Sequence, residues 1–242
     1  ISPQTHIVEG LGEMVKSGAL KPCEFINVES EFAAMSVAIG AAATGARSYT
    51  ATASQGLLLM HELLHYACGA RAPIVMANIN RTVASPWAFW PDQTDSLAQR
   101  DTGWVQLYVE SAQEALDSVP QAFRVAEEAL LPVMINLDAF YVSHAMEPVD
   151  VPAQEDVDAY LPPFAPAQRL DTAVGSSWGN VVSQDMFYRH RQALQEAMER
   201  VPRLLAQADG EWQQRFGRGW GVVERYRCDG AEAVIVTMGS MA

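Results

Sequence analysis

The segment HELLH at residues 61–65 has the residue types and the spacing of a zinc site. Two histidines four residues apart lie on one face of a helix, where both imidazoles can bind Zn²⁺ while the intervening Glu62 serves as a general base. A zinc hydrolase needs a third protein ligand, and position 71, where one class places a histidine, is an arginine. The sequence therefore favours an ordinary helix with paired histidines, His61 and His65, over a zinc hydrolase.

Acidic and basic side chains also occur where predicted strands end. Glu29 and Glu31 follow an apolar run at 25–28 that is typical of a buried strand, and they precede an alanine-rich helix. They could stabilise the helix start by about 0.3–1 kcal/mol, or provide a carboxylate at the carboxyl end of a parallel strand, where ligands bind. Arg81 follows another apolar strand, and its guanidinium could hold a carboxylate through two parallel hydrogen bonds or be an ordinary surface residue.

Several common cofactor sites are absent from the sequence. GxGxxG and GxxxxGK[ST] do not occur, so Ser54-Gln55-Gly56 is interpreted as a tight turn that starts a helix. Cys23, Cys68 and Cys228 are too far apart for a zinc ribbon or an iron–sulfur ligand run, and they are expected to be free thiols.

The overall charge and hydropathy narrow the choice of partners. Sixteen Lys and Arg against 29 Asp and Glu give a net charge of −13, so binding to nucleic acid is not expected. No run of 18 apolar residues and no basic segment before an apolar one occurs, so neither a membrane span nor a signal peptide is predicted. We expect a cytoplasmic protein.

Strands and helices alternate along the chain and predict an α/β fold. Apolar runs predict strands at 25–28, 48–52, 73–78, 104–109 and 132–138. Helical periodicity predicts helices at 5–17, from 31 to 44, at about 57–68 and at 112–129, with Thr5 capping the first helix and Pro120 interrupting the last. This pattern is typical of a mostly parallel sheet with helices on both faces.

The second half of the chain is less regular. A Pro-rich excursion at 148–180 precedes a helix from about Asp185, with a possible break at Pro202. Residues 233–238 have the pattern of one more strand. We therefore predict one domain over 1–226 and the first strand of a truncated second domain in 227–242.

Together these segments resemble the α subunit of pyruvate:ferredoxin oxidoreductase, in the family of 2-oxoacid:ferredoxin oxidoreductases. The matching runs are ISPQT at 1–5, NVESE at 27–31, GARSYTATASQGLLLMHE at 45–62, PIVMANINR at 73–81, DQTD at 92–95, QRDTGW at 99–104 and VIVTMGSM at 234–241. DQTD varies from the family pattern and is assigned no role. The resemblance is clearest over about residues 1–145. Because family members have a similar helix without needing the second histidine, the resemblance also makes a zinc site at HELLH less favoured.

The resemblance implies a fold and roles for three residues. The fold is that of the domain that binds the aminopyrimidine half of thiamine diphosphate. Glu31 matches the family's glutamate that hydrogen-bonds N1′ of this ring, so that the ring can deprotonate C2 of the thiazolium. Arg81 matches the arginine that holds the substrate carboxylate, and Ser2 stands where the family commonly has a threonine whose hydroxyl could donate to that carboxylate. Glu29 is left as a residue of the helix start.

The resemblance also implies an activity and partners. The reaction would be the oxidative decarboxylation of pyruvate to acetyl-CoA with reduction of ferredoxin, in the cytoplasm and in anaerobic metabolism. The Gly-Asp-Gly motif for the diphosphate and its magnesium is absent here, so a β subunit, or a later domain of a fused chain, would supply it. Gamma- and delta-type subunits and other partner chains would hold [4Fe-4S] clusters in a hetero-oligomer, and this chain would bind no metal.

Three alternatives remain open from the residues and the resemblance. The same family could act on another 2-oxoacid, namely 2-oxoisovalerate, 2-oxoglutarate or oxalate. A zinc hydrolase would contain stoichiometric zinc and would lose hydrolysis in Glu62→Gln. A non-catalytic structural domain would leave the turnover of the intact complex unchanged in Glu31→Gln.

Overall fold

The computed structural model describes residues 2–175 and 177–242. In this part of the chain, four strands form one sheet in the order β1-β2-β4-β3, and every neighbouring pair is parallel. The strands are β1 (Ser48–Thr52), β2 (Ile74–Asn80), β3 (Val105–Val109) and β4 (Val133–Asp138). The predicted α/β architecture with a parallel sheet is confirmed.

The helices connect and cover these strands. They are α1 (Thr5–Ser17), α2 (Glu31–Ala43), α3 (Gln55–Leu59), α4 (His61–Gly69), α5 (Thr94–Leu97), α6 (Ala112–Ala129), α7 (Gln154–Tyr160) and α8 (Gln184–Phe216), with a 3-10 turn at Gly239–Met241. The connections from β1 to β2 and from β2 to β3 run in the same direction across the sheet, and the second passes over β4. The connection from β3 to β4 runs in the opposite direction. Because such crossovers are right-handed, the opposite directions place α4 and α6 on opposite faces of the sheet.

Local sequence accounts for most helix boundaries. The hydroxyl of Ser30 accepts a hydrogen bond from the N–H of Ala33 and caps α2, and Gly45 follows this helix with a φ of 90°. The predicted cap at Thr5 is wrong, since Gln4 precedes α1 and makes no side-chain cap bond. The predicted helix at 57–68 is two helices that meet at Met60.

Pro120 and Pro202 do not break their helices. Both lie inside continuous helices, α6 and α8, which pack against each other over the sheet. Small and branched apolar residues on both sides of each proline belong to the main core. The buried surface that the two helices share compensates for the hydrogen bond that each proline removes, so the predicted interruptions are wrong.

Two predicted strands do not form. Residues 25–28 lack strand structure and Ile26 is exposed, and residues 233–238 are also without strand structure, with Val236 exposed. A strand needs the backbone of a neighbouring strand, and neither segment pairs with a described edge of the sheet. The strand expected in 227–242 is therefore not formed here, and a domain boundary near 226 stays a prediction.

The Pro-rich excursion is only partly extended, because α7 lies inside it. Tyr160 at the end of α7 is buried against Trp212 of α8, and its hydroxyl donates to the Ala208 carbonyl at 3.0 Å. Burying an aromatic ring here fixes part of a segment that the prolines alone would leave on the surface. In the part of the chain that the structure describes, no helix has both the length and the apolar composition to cross a membrane.

A salt bridge attaches the segment after α8 to the rest of the molecule. Arg218 donates to both carboxylate oxygens of Asp117, at 2.9 and 3.1 Å, and also contacts Asp150. Asp117 lies on α6 and is fully buried, and it also accepts from the Trp220 indole at 3.3 Å. After this salt bridge the chain continues to the carboxyl edge of the sheet. There the Ser240 N–H and hydroxyl donate to Asp138 at 2.8 and 2.7 Å.

The stability of the fold is expected to depend on pH through Glu114 in the first turn of α6. Burial raises the pKa of Glu114 from 4.5 to about 7, although a hydrogen bond from the Glu110 N–H opposes this rise. The folded state then binds the proton more tightly than the unfolded state, so stability falls as the pH rises from about 4.5 through 7. Since the side chain is partly exposed, we expect Glu114→Gln to stabilise the protein by about 1–2 kcal/mol at pH 8 and by little at pH 4.

Urea unfolding of both proteins at the two pH values measures this difference. Glu155→Gln is the matched control, because Glu155 also lies in the first turn of a helix but its side chain is exposed. An equal gain in the control at pH 8 would assign the effect to the overall negative charge and not to Glu114.

Candidate functional site

A sharp turn at the carboxyl end of β1 starts the site. Ser54 has φ 49° and ψ −119°, a backbone conformation that costs a non-glycine residue on the order of 1–3 kcal/mol. Its N–H donates to Asp95 at 2.9 Å, and its hydroxyl lies 2.6 Å from both the Gln55 side-chain oxygen and the Thr82 carbonyl. These bonds hold the strained turn, so that α3 begins directly over the sheet edge.

Arg81 lies beside the start of α3. Its Nη1 donates to the carbonyl of Ser2 at 2.6 Å, and its Nη2 donates to Oε1 of Gln55 at 2.9 Å. The guanidinium carbon lies 5.1 Å from the centroid of the Trp87 ring, and only 7% of the residue is exposed. Its buried Nε–H has no partner among the described residues. Arg81 is therefore a cation held in one orientation, with its Nε–H still free to donate among the described residues, and it is not an ordinary surface residue.

Glu31 also lies against the start of α3. A Cβ added to Gly56 would stand 2.8 Å from Oε1 of Glu31 and 2.6 Å from Oγ1 of Thr52, both closer than real Cβ contacts. Only glycine at position 56 lets the carboxylate lie against the start of α3. Glu31 is half-buried, while Glu29 is exposed before the helix. The structure thus brings Glu31 and Arg81 to the same three residues, 54–56.

Ser2 reaches this site through its backbone. Its carbonyl oxygen accepts from Arg81, whereas its hydroxyl lies 3.4 Å from the hydroxyl of Thr5 and is exposed. The structure therefore brings Ser2 and Arg81 together through the Ser2 backbone. The role predicted for the hydroxyl, a bond to the substrate carboxylate, stays a prediction.

A buried polar cluster beneath the site was not identified from the sequence. Parallel pairing sets Asn78 opposite Asn136 and Asn80 opposite Asp138 at the carboxyl ends of β2 and β4. Asn78 and Asn80 both donate to Asp95, at 3.4 and 2.7 Å. The signal in the sequence was their spacing of two within an otherwise apolar strand, which places both on one face.

The HELLH segment lies outside this site. His61 pairs through Nδ1 with Oε1 of Gln99 at 2.5 Å, and its ring lies edge-on to that of His65 with centroids 5.0 Å apart. Both histidines and Glu62 are exposed. Among the described residues, no group of three or more His, Cys, Asp or Glu side chains could hold a metal ion. A third zinc ligand is thus missing from this part of the chain.

Several curated oxidoreductase subunits match the whole length of this chain. Pyruvate synthase subunit PorA of Methanothermobacter thermautotrophicus is 50% identical over 243 residues, which cover 100% of this chain and 63% of that protein. Pyruvate synthase subunit PorA of Methanosarcina barkeri is 46% identical, over 100% of this chain and 61% of that protein. Ketoisovalerate oxidoreductase subunit VorA of Pyrococcus abyssi is 45% identical, with the same coverage of 100% and 61%. The chain thus spans about three-fifths of the length of these relatives.

A solved structure shares the fold. The 2-oxoglutarate:ferredoxin oxidoreductase from Magnetococcus marinus, with 2-oxoglutarate, coenzyme A and succinyl-CoA bound, superimposes with a TM-score of 0.61 at 18% identity, over 83% of this chain and 40% of that one. The model of the family described as "Pyruvate flavodoxin/ferredoxin oxidoreductase, thiamine diP-bdg" matches residues 1–209. This chain therefore belongs to the family of pyruvate flavodoxin/ferredoxin oxidoreductases and contains their thiamine diphosphate-binding domain.

Proposed function

We propose that this chain is the α-subunit part of a thiamine diphosphate-dependent pyruvate:ferredoxin oxidoreductase, which converts pyruvate and coenzyme A to acetyl-CoA and carbon dioxide and reduces ferredoxin. The observation that carries the proposal is the placement of the Glu31 carboxylate and the Arg81 guanidinium at the same helix start, that of α3. The Glu31 carboxylate can accept a hydrogen bond from a cofactor ring, and the Arg81 guanidinium can donate two parallel hydrogen bonds to a substrate carboxylate. Family membership and the names of the relatives give the reaction class.

The residues present fit the aminopyrimidine of thiamine diphosphate. The bare backbone at Gly56 leaves room for the Glu31 carboxylate, and the buried Oγ1 of Thr52 beside it has no partner among the described residues. Glu31 would hold the proton that it shares with N1′ of the ring. When bound, thiamine diphosphate supplies the electron sink for decarboxylation of a 2-oxoacid. The chain's own task is to hold this ring in one orientation and to keep the shared proton in place.

Arg81 would orient the substrate by its carboxylate. Two of its nitrogens are already fixed by Ser2 and Gln55, so the guanidinium plane has one orientation before the substrate arrives. The unpartnered Nε–H and the remaining Nη hydrogens can then donate to both oxygens of a carboxylate. A pre-oriented fork lowers the entropy lost on binding and sets the direction of the 2-oxo group.

Partner chains would complete the site. The sequence has no Gly-Asp-Gly, so we propose that a β subunit supplies the diphosphate and magnesium site, and that partner chains including gamma- and delta-type subunits hold the [4Fe-4S] clusters in a hetero-oligomer. Trp87, which lies against Arg81, and Phe89 and Trp90, which follow it in the chain, are about half exposed, and this supports coverage of this surface by another subunit. The three free cysteines fit the reducing cytoplasm in which we place the enzyme.

A second 2-oxoacid is the specific alternative. The VorA relative, whose name assigns it ketoisovalerate, is 45% identical to this chain, within a few per cent of the PorA relatives. Identity of this order does not separate the two substrates, because a pocket that distinguishes one alkyl group from another needs only a few residues. 2-Oxoglutarate and oxalate are the further acids to include in a test.

Viologen reduction by the intact complex tests the proposal. Pyruvate, 2-oxoisovalerate and 2-oxoglutarate are compared in the presence of coenzyme A, and oxalate with and without it. Rapid turnover of pyruvate alone is the expected result. Preference for another acid would move the substrate within the family, and no turnover of any of them would contradict the catalytic proposal.

Replacing the fork of Arg81 by a single ammonium group is expected to weaken substrate binding. Lysine cannot donate to Ser2 and Gln55 and still present two parallel donors, so we expect Arg81→Lys to raise KM for the 2-oxoacid about tenfold or more. The affinity for thiamine diphosphate, measured by titration of the apo-complex, should stay within about twofold of the wild type because Arg81 does not hold that ring. Arg100→Lys, at an exposed position, is the control. An unchanged KM in Arg81→Lys would show that Arg81 does not bind the substrate carboxylate.

A further inference from the structure

Asp95 is a fully buried carboxylate, and no cationic side chain in residues 2–175 and 177–242 forms a salt bridge with it. It belongs to the four-residue helix α5, whose sequence stretch varies from the family pattern and suggested no role. Burial raises the pKa of Asp95, and hydrogen bonds from Asn80 and from the backbone of Ser54, Ser96 and Arg81 oppose that rise. Because burying a carboxylate is costly unless it is hydrogen-bonded, these donors indicate that Asp95 has a structural role.

The two oxygens of Asp95 accept from different parts of the site. Oδ1 accepts from Ser96 N–H and from Nδ2 of Asn80, both at 2.7 Å. Oδ2 accepts from Ser54 N–H at 2.9 Å and from Nδ2 of Asn78 at 3.4 Å. Asp95 therefore joins the end of β2, the start of α5 and the strained turn before α3.

A chain of contacts leads from this carboxylate to Arg81. Asp95 holds the N–H of Ser54, and the Ser54 hydroxyl lies 2.6 Å from Oε1 of Gln55. The same Oε1 accepts from Nη2 of Arg81 at 2.9 Å. Burial lowers the pKa of the Arg81 guanidinium, and the negative charge of Asp95 opposes this fall, so Asp95 also acts on Arg81 directly. Asp95 thus reaches Arg81 both through the turn and through its charge.

We propose that Asp95 is a positioning residue, which fixes the Ser54 turn so that Gln55 holds the guanidinium of Arg81 in the orientation that binds the substrate carboxylate. This inference rests on the proposed function for the identity of the substrate. The fixed orientation of Arg81 itself does not depend on that function. It requires only the contacts among Asp95, Ser54, Gln55 and Arg81.

Asp95→Asn is the sharpest substitution, because it keeps the size of the side chain and changes one acceptor into a donor. Asn78 and Asn80 could turn their amides over to match it, since the Oδ1 atoms of both have no partner among the described residues. The N–H groups of Ser54 and Ser96 cannot turn over, and each faces a different oxygen. Whichever way the new amide is oriented, one backbone N–H must therefore face an NH₂ group.

The readout that does not depend on turnover is the reaction of Arg81 with phenylglyoxal in the intact complex without substrate. Peptide mass spectrometry gives the rate at each arginine. We expect Asp95→Asn to raise the rate at Arg81 about tenfold or more, and to leave the exposed Arg100 within about twofold. Asp101→Asn, at an exposed site in the following turn, should leave the rate at Arg81 unchanged.

The kinetic readout is a split between KM and kcat. Asp95→Asn is expected to raise KM for the 2-oxoacid about tenfold or more, with a smaller change in kcat and with thiamine diphosphate affinity retained. A role confined to stability would lower the melting temperature and leave KM and the rate at Arg81 unchanged, and that result overturns the proposal. A wild-type complex that turns over no 2-oxoacid contradicts the proposed function, while the phenylglyoxal rates still test the positioning of Arg81.

A second variant covers the case in which Asp95→Asn does not fold. Gln55→Met keeps the length of the side chain and removes the acceptor for Arg81 without placing a donor in the buried cluster. We expect the same rise in the phenylglyoxal rate at Arg81 and in KM. An unchanged rate at Arg81 in Gln55→Met means that Gln55 does not hold the guanidinium, and the proposal is then wrong.

Discussion

Glu31→Gln is expected to lower the turnover of the intact complex by about 10²–10⁴-fold. Glutamine keeps the size of the side chain and can still hydrogen-bond a ring nitrogen, but it cannot share a proton in the way that a carboxylate does. The variant should fold normally, because Glu31 is the half-buried first residue of α2 and the Ser30 cap remains in place. Turnover is measured by viologen reduction with saturating 2-oxoacid, coenzyme A and thiamine diphosphate.

Glu29→Gln is the matched control for this experiment. Glu29 is exposed two residues before Glu31, so the substitution removes the same charge near the same helix start. We expect its turnover to stay within about twofold of the wild type, since no contact of the site involves it. Normal turnover in Glu31→Gln would instead support the interpretation of this chain as a non-catalytic structural domain. Equal losses in both variants would assign the effect to the charge at the start of α2.

Arg218→Ala is expected to destabilise the folded chain by about 3 kcal/mol, which is more than a hundredfold in the ratio of folded to unfolded protein. The substitution leaves the fully buried Asp117 without its counter-charge. Gln113 and Trp220 still donate to that carboxylate, at 3.1 and 3.3 Å, and therefore hold the loss near the lower end of the range for buried pairs. Urea unfolding followed by circular dichroism measures the change.

Two further variants separate the buried charge from the loss of side-chain contacts. Arg100→Ala removes an exposed arginine whose ion pair with Asp101 spans 3.8 Å, and it should change stability by less than about 1 kcal/mol. The double variant Arg218→Leu with Asp117→Leu removes both charges and should be more stable than Arg218→Ala. A double variant as unstable as the single one would mean that the uncompensated charge is not the cause.

The sequence by itself determined the parts of this protein that depend on neighbouring residues. Alternating apolar runs and helical periods predicted the α/β sheet. The ends of α2, at Ser30 and Gly45, follow in the structure from capping and backbone rules that act within a few residues. Glu31, Arg81 and Ser2 were identified from local motifs that resemble a family. The structure then brought Glu31 and Arg81 to the same helix start.

Only the tertiary structure decided which distant segments pair. An apolar run does not show whether a sheet edge is within reach, so 25–28 and 233–238 were predicted as strands that do not form. Pro120 remains inside a helix because α6 packs against α8 and against the sheet. Asp95 showed no sign of a role in its own four-residue helix, since each partner of its carboxylate except Ser96 comes from a strand or turn elsewhere in the chain. Hydrogen bonds between distant residues are settled by the packing of the sheet, and local propensity carries no information about them.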